Sequence, residues 1–260
     1  MTEQTPHTHD GREVQTAGET ILNVSEITKT FGGLVALDEA TFSIERGKTV
    51  GLIGPNGAGK TTLFNVMTGF LEPDSGVVEL NGSNVTNLPP HEHTKQGMAR
   101  TFQEVKPFGN MSVLDNIIVG AFINTNSTDE AREIALDVLE TVELADLAEE
   151  SADELTLEER KRMELGRALA TKPELLLLDE IMAGLAEDEM NDLMRLIEEI
   201  SDQGTTVLVI EHVMDAVMAL SDHIVVLDDG SVIAEGTPEE ISNNERVIRA
   251  YLGERWEEQQ

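Results

Sequence analysis

The 260-residue chain contains no cysteine, which excludes disulfide staples and thiolate chemistry. It has no apolar run near the ~20 residues that span a bilayer. Runs such as Leu175–Leu178 and Val207–Ile210 have the length of strands. The N-terminus lacks the basic-then-apolar order of a secretory signal, so a cytoplasmic chain is expected. Internal repeats and long low-complexity tracts are also missing. Basic residues are scarce, with 18 Lys plus Arg against 50 Asp plus Glu, a formal charge of −32. Such a surface repels nucleic acid and anionic lipid, so no nucleic-acid partner is expected. The acids are spread along the chain rather than blocked. That pattern favours adaptation to a salty, halophilic cytoplasm, where counterions screen the repulsion, over a dedicated acidic docking face. What is present is a 40% hydrophobic content. It suffices for the core of one large domain or of a domain carrying an inserted subdomain.

The most informative stretch is Gly54-Pro55-Asn56-Gly57-Ala58-Gly59-Lys60-Thr61. It matches the phosphate-binding loop: two glycines with four residues between them, then Lys and Thr. Thr49–Ile53 before it is short and apolar like a buried strand, and Thr62–Met67 after it reads as a helix. Glycines let the backbone curl until successive N–H groups face phosphate oxygens, and the helix start adds positive potential. The expected nucleotide contacts are Gly54, Asn56, Gly57, Ala58, Gly59, Lys60, Thr61 and Thr62. Lys60 would reach the β- and γ-phosphates of ATP, and the Thr61 hydroxyl would ligate Mg²⁺.

Residues 1–20 are polar and read as a disordered tail, in which His7 and His9 are solvated. Ile21–Thr30 and Ala40–Ile44 alternate like strands, and Val77–Leu80 with Asn81-Gly82 looks like a hairpin strand and its turn. From about 89 to 168 the pattern becomes helical, with helices over Asp129–Leu147 and Leu157–Ala170. Leu175–Leu178 reads as a buried strand, Asp188–Ile200 as an amphipathic helix, and Thr205–Ile210 and His223–Leu227 as further strands. The alternation predicts a parallel α/β core around the phosphate loop, an N-terminal β layer and an inserted helical block.

Two strand ends carry further chemistry. Leu175–Leu178 delivers Asp179-Glu180 to the sheet edge where α/β proteins bind ligands. Asp179 is placed to orient Mg²⁺ through a water, and Glu180 to polarise the water that attacks the γ-phosphate. Val207–Ile210 delivers Glu211-His212 to the same edge, where His212 could bond the γ-phosphate and sense hydrolysis.

With these motifs, residues from about 21 to 253 resemble the ATP-binding subunit of an ATP-binding-cassette transporter. The resemblance implies a nucleotide-binding core with a parallel sheet, an antiparallel β subdomain, a helical subdomain at about 89–168, and a short tail at 254–260. It places Phe31, in Lys29-Thr30-Phe31-Gly32, where an aromatic stacks on adenine. It places Gln103, in Arg100-Thr101-Phe102-Gln103, where a glutamine touches Mg²⁺ and the attacking water and links to the membrane partner. Ala183-Gly184-Leu185-Ala186 falls at the loop that crosses to the other subunit, with Ala186 in place of the usual Asp. A narrower resemblance, to importers of branched-chain amino acids, rests on four stretches: Gly33–Leu37, Arg100–Gln103, Met111–Ile117 and Ile248–Gly253. The implied partners are membrane permease subunits, a second cassette that is identical or different, and indirectly a solute-binding protein. The implied location is the inner face of the cell membrane. Cassettes for urea or amides or for lipid export share some of these stretches. A soluble cassette acting on ribosomes or DNA repair, and a binding-only cassette, are the other readings.

One segment departs from the family. Its signature Leu-Ser-Gly-Gly-Gln appears here as Leu155-Thr156-Leu157-Glu158-Glu159. In the family this segment closes over the γ-phosphate held by the other subunit, so Thr156 is the implied contact in trans. Leu157 would block close approach, and two glutamates favour the helix start but not a polyanion. Either the chain pairs with a different cassette and leaves one composite site weakened, or the glutamates turn aside and the backbone still serves.

Overall fold

A computed structural model describes residues 18–102 and 107–257, the last six by backbone alone. The tail up to residue 17, Gln103 and the side chain of Trp256 lie outside the described residues.

The N-terminal layer is a four-stranded antiparallel sheet in the order β2-β1-β4-β5. Its strands are β1 (Thr20–Phe31), β2 (Leu34–Glu45), β4 (Ser75–Leu80) and β5 (Ser83–Asn84). The expected turn at Asn81-Gly82 joins β4 to β5, with both residues in the left-handed region that a two-residue hairpin requires. Ile21, Val24, Ile27, Phe42 and Val78 bury one face of this sheet against the core.

The second sheet has six strands in the order β10-β9-β3-β8-β7-β6. Its centre is β3 (Thr49–Ile53), β8 (Thr206–Ile210) and β7 (Leu175–Asp179), every residue of which is buried. Both faces of these strands are covered, so they read as continuous apolar runs. Two strands escaped the periodic pattern. The first is β6 (Met98–Arg100), a three-residue parallel edge strand inside the stretch expected to be helical. The second is β10 (Ser231–Gly236), which pairs antiparallel with β9 (His223–Asp228). The sheet is therefore parallel with one antiparallel edge.

Helix α1 (Lys60–Met67) follows β3, and α2 (Pro90–Lys95) precedes β6. Three helices form a side layer: α3 (Val113–Ala121), α4 (Thr128–Thr141) and α5 (Leu157–Leu169). The expected helix over Asp129–Leu147 breaks after α4 and resumes as a 3₁₀ turn at Ala145–Leu147, because Glu143 takes a positive φ of 58°. α3 and α5 meet at Gly120, where a Cβ would collide with the Arg167 carbonyl oxygen. Helix α6 (Glu187–Asp202) lays Leu193, Leu196, Ile197 and Ile200 on the sheet at helical spacing. The chain ends with α7 (Met214–Leu220), α8 (Pro238–Ser242) and α9 (Glu245–Glu257), the last running across the expected boundary at 253.

Candidate functional site

Sheet register assembles the site. Leu52 on β3 and Asp179 on β7 both lie level with Ile210 on the β8 between them. The segments that follow these strands, Gly54–Gly59, Glu180 and Glu211-His212, therefore leave the sheet at one edge. That edge, the carboxyl end of the parallel strands, is where α/β sheets bind ligands.

The loop from Gly54 to Gly59 is built on left-handed glycines, Gly57 at φ 82° and Gly59 at φ 103°. At Gly54 a Cβ would collide with the Leu227 carbonyl oxygen, so no other residue fits this turn. Lys60 opens α1 and is buried, its Nζ donating to the carbonyls of Gly54 (2.6 Å) and Pro55 (3.0 Å). The ammonium thus lies folded across the loop. Ala58 is buried beneath it, while Asn56, Gly57 and Thr61 face outward and Thr62 is half-buried. The loop offers outward backbone and a helix start, which fits a phosphate chain.

Asp179 ends β7 and is buried, its N–H donating to Thr101 Oγ1 at 3.1 Å. Burial pushes its carboxyl above the ordinary range, and the Arg100 guanidinium opposes that shift. Thr61 and Asp179 line one cavity of about 1050 Å³. Among the described residues no three His, Cys, Asp or Glu side chains could enclose a metal ion by themselves. A hydroxyl and one carboxylate suit Mg²⁺, which usually takes one or two protein oxygens and completes its shell with water and phosphate.

Glu180 adopts a positive φ of 49°, uncommon for a non-glycine residue. His212 Nε2 lies 2.7 Å from its Oε1, so two residues 32 apart in sequence meet at the strand ends. Beside them Glu211 turns inward, its Oε1 accepting the Met182 N–H at 2.8 Å. Burial raises its carboxyl.

Phe31 sits at the tip of the β1–β2 hairpin with half its surface exposed and Lys29 Nζ 5.7 Å from its ring centroid. Asp74 anchors the hairpin. It pairs with Lys29 at 2.9 Å and accepts both the N–H and the hydroxyl of Thr30. These bonds hold its pKa at about 2.

The altered signature starts α5. Thr156 is its N-cap: its Oγ1 accepts the Glu159 N–H at 3.3 Å, and Glu159 Oε2 accepts the Thr156 N–H at 2.7 Å. Glu158 pairs instead with Arg162 at 2.8 Å, and Arg162 also reaches Glu143 at 2.6 Å. Both glutamates are thus engaged within the subunit. Leu157 stands exposed beside Gly184. At Ala186 the helix start of α6 has only Glu189 to cap it, through the Ala186 N–H at 2.7 Å.

Besides Glu211, three charged residues turned inward near the site were not read from the sequence as site residues. Lys161 on α5 is buried and donates to the Glu180 carbonyl at 3.4 Å. Glu164, one turn on and also buried, accepts the Phe102 N–H. Arg100, largely buried at the end of β6, contacts Asp179. Charged residues at inward positions of α5 were the available signal, since Lys161, Glu164 and Ala168 share one helix face.

A family model described as ABC transporter matches residues 37–183, and one described as branched-chain amino acid ATP-binding cassette transporter matches residues 231–257. The chain is 43% identical over 250 residues to the high-affinity branched-chain amino acid transport ATP-binding protein BraF of Pseudomonas aeruginosa, covering 90% of this chain and 98% of that one. It is 41% identical, with the same coverage, to the corresponding protein LivG of Escherichia coli. It also resembles the crystal structure of a nucleotide-free ATP-binding cassette from an ABC transporter. The TM-score is 0.82 at 36% identity, covering 90% of this chain and 99% of that one.

Proposed function

The chain belongs to the ABC transporter family, and from that premise we propose that it is the ATP-hydrolysing subunit of an importer of branched-chain amino acids. The observation that carries the ATPase reading is the convergence at one sheet edge of the Gly54–Lys60 loop, Asp179 and the Glu180–His212 pair at 2.7 Å. The solute reading is carried by the 43% identity to a branched-chain amino acid transport subunit along 98% of its length.

The residues divide the work. Backbone N–H groups of Gly57, Gly59 and Lys60 bind the phosphates, and Lys60 exchanges the Gly54 and Pro55 carbonyls for phosphate oxygens. Phe31 stacks on the base, a contact worth about 1–3 kcal/mol for nucleic-acid bases. Thr61, Asp179 and Gln103 would hold Mg²⁺, which supplies charge neutralisation on the phosphate oxygens. Glu180 takes the proton of the attacking water as its oxygen bonds to the γ-phosphorus and the bond to ADP breaks. His212, oriented by Glu180, donates to the γ-phosphate. Thr156 meets the nucleotide of a second cassette, and closure of the two over ATP, reopened by hydrolysis, drives membrane permease subunits. No helix among the described residues is long and apolar enough to cross a membrane. As the family resemblance implies, the chain would dock on those subunits from the cytoplasmic side.

The test is Mg-ATP hydrolysis in molar KCl by the wild type and Glu180→Gln. Turnover should fall about 10²–10⁴-fold in the variant, the usual worth of a general base, while nucleotide binding persists. Equal turnover in both would remove Glu180 from the mechanism. Binding without turnover by the wild type alone would point to a different cassette as obligatory partner. Leucine uptake in vesicles with the membrane subunits tests the solute, and uptake of urea instead would sink that part.

A further inference from the structure

Arg100 opens the Arg100–Gln103 stretch but was given no role by it, and its guanidinium is bonded or stacked on every side. Its side chain is 12% exposed. Nη1 donates to Asn65 Oδ1 at 2.9 Å and to Thr68 Oγ1 at 3.0 Å, the first within α1 and the second at its carboxyl end. Nη2 lies 3.4 Å from Asp179 Oδ2, and Nε donates to the Thr101 carbonyl at 3.3 Å. The guanidinium carbon stands 4.5, 4.9 and 4.8 Å from the ring centroids of Phe64, Phe70 and Phe102. Phe70 and Phe102 meet edge to face at 5.8 Å.

This arrangement links three elements through one rigid group. α1 begins with Lys60 and Thr61, β7 ends in Asp179, and β6 leads toward Gln103. Only a planar fork can bond α1 on one side and the Asp179 carboxylate on the other while lying among aromatic faces. The single ammonium of a lysine cannot span them. Burying a cation is costly unless it is paired and bonded, and hydrophobic residues could fill the same space. The polar geometry therefore needs a reason beyond packing.

We propose that Arg100 is a positioning residue for the Mg²⁺ site. It engages one oxygen of Asp179 and fixes that carboxylate relative to α1 and its Thr61. The inference rests on the ATPase reading above. It goes further by assigning to Arg100 the metal requirement of nucleotide binding rather than contact with substrate.

The experiment measures binding of a fluorescent ATP analogue across a Mg²⁺ titration and without Mg²⁺, in molar KCl, with hydrolysis and melting followed in parallel. Variants are Arg100→Met, Arg100→Lys and Asn65→Ala, the last two covering the case in which Arg100→Met does not fold. Arg100→Met should leave metal-free affinity within about twofold and raise the Mg²⁺ needed for half-maximal tightening about tenfold or more, the scale on which groups that orient a metal ligand act. Arg100→Lys should recover part of this shift, and Asn65→Ala should show a smaller shift of the same sign. Unchanged Mg²⁺ demand in the folded variants, with only a lower melting temperature, would overturn the proposal and leave Arg100 a packing residue. A wild type that binds no nucleotide at all would overturn the ATPase reading, and this inference with it.

Discussion

Glu211 shows at the scale of one residue how position overrides type. It adjoins His212, but its carboxylate turns into the core and holds the Met182 N–H at 2.8 Å. Burial raises its pKa above the ordinary glutamate value near 4.5. A folded-state pKa raised in an acid means that the native chain holds the extra proton. Stability from this group is therefore greatest below about pH 4.5 and declines as pH climbs toward the raised value. Glu211→Gln keeps an acceptor for Met182 and removes the charge. The melting temperature of this variant relative to wild type should rise as pH climbs above the ordinary value near 4.5, the side on which the wild-type carboxylate loses its proton. A constant difference across that range would mean that the carboxylate is relieved by Lys161, whose charge favours its ionised form.

At the scale of an element, α5 carries the departure from the family pattern. Its first turn is closed by the reciprocal Thr156–Glu159 bonds, and Glu158 is held by Arg162 at i+4. A strong N-cap takes up N–H groups that an anion would otherwise find at a helix start. Thr156→Ala should therefore cost about 0.5–2 kcal/mol of stability, the usual worth of an N-cap, visible as a lower melting temperature. Nucleotide affinity of the isolated subunit should stay within about twofold, because the segment is read as acting on the partner's nucleotide. A tenfold loss of affinity in the monomer would assign Thr156 to its own subunit's site. The helix over Leu157–Ala170 and the benefit of its first-turn glutamates were legible in advance. Its charges on one helix face offered a signal, but that this face turns inward was not legible, since Lys161 and Glu164 become buried only where α5 lies against β6 and the end of β7.

Across the whole molecule, the net charge of −32 outweighs any local pairing. Nearby pairs offset little of it. Arg195–Asp192 and Arg249–Glu245 are exposed contacts within single helices, a class that adds little to stability. Long-range repulsion between the remaining acids is screened over about 10 Å at 0.1 M salt and about 3 Å at 1 M. Melting temperature should accordingly rise by several degrees from about 0.1 to 1 M KCl. Equal values at the two concentrations would mean that the acidic surface imposes no salt requirement on folding.

The sequence by itself determined what depends on neighbours along the chain. The phosphate loop, the Asn81-Gly82 turn, the glutamate-rich start of α5 and the apolar strands β3, β7 and β8 are each written within a few consecutive residues. Backbone sterics, capping and burial on both faces act at that range. Tertiary structure alone decided the rest. β6 is too short to show a period and exists because β7 offers it an edge. The register of β7 on β8 brings Glu180 to His212. Arg100 acquires its role only where α1, β6 and β7 meet, since Phe64, Phe102 and Asp179 are distant in the chain and adjacent in the fold. Contacts of that kind follow from strand order and helix packing, which no local pattern encodes.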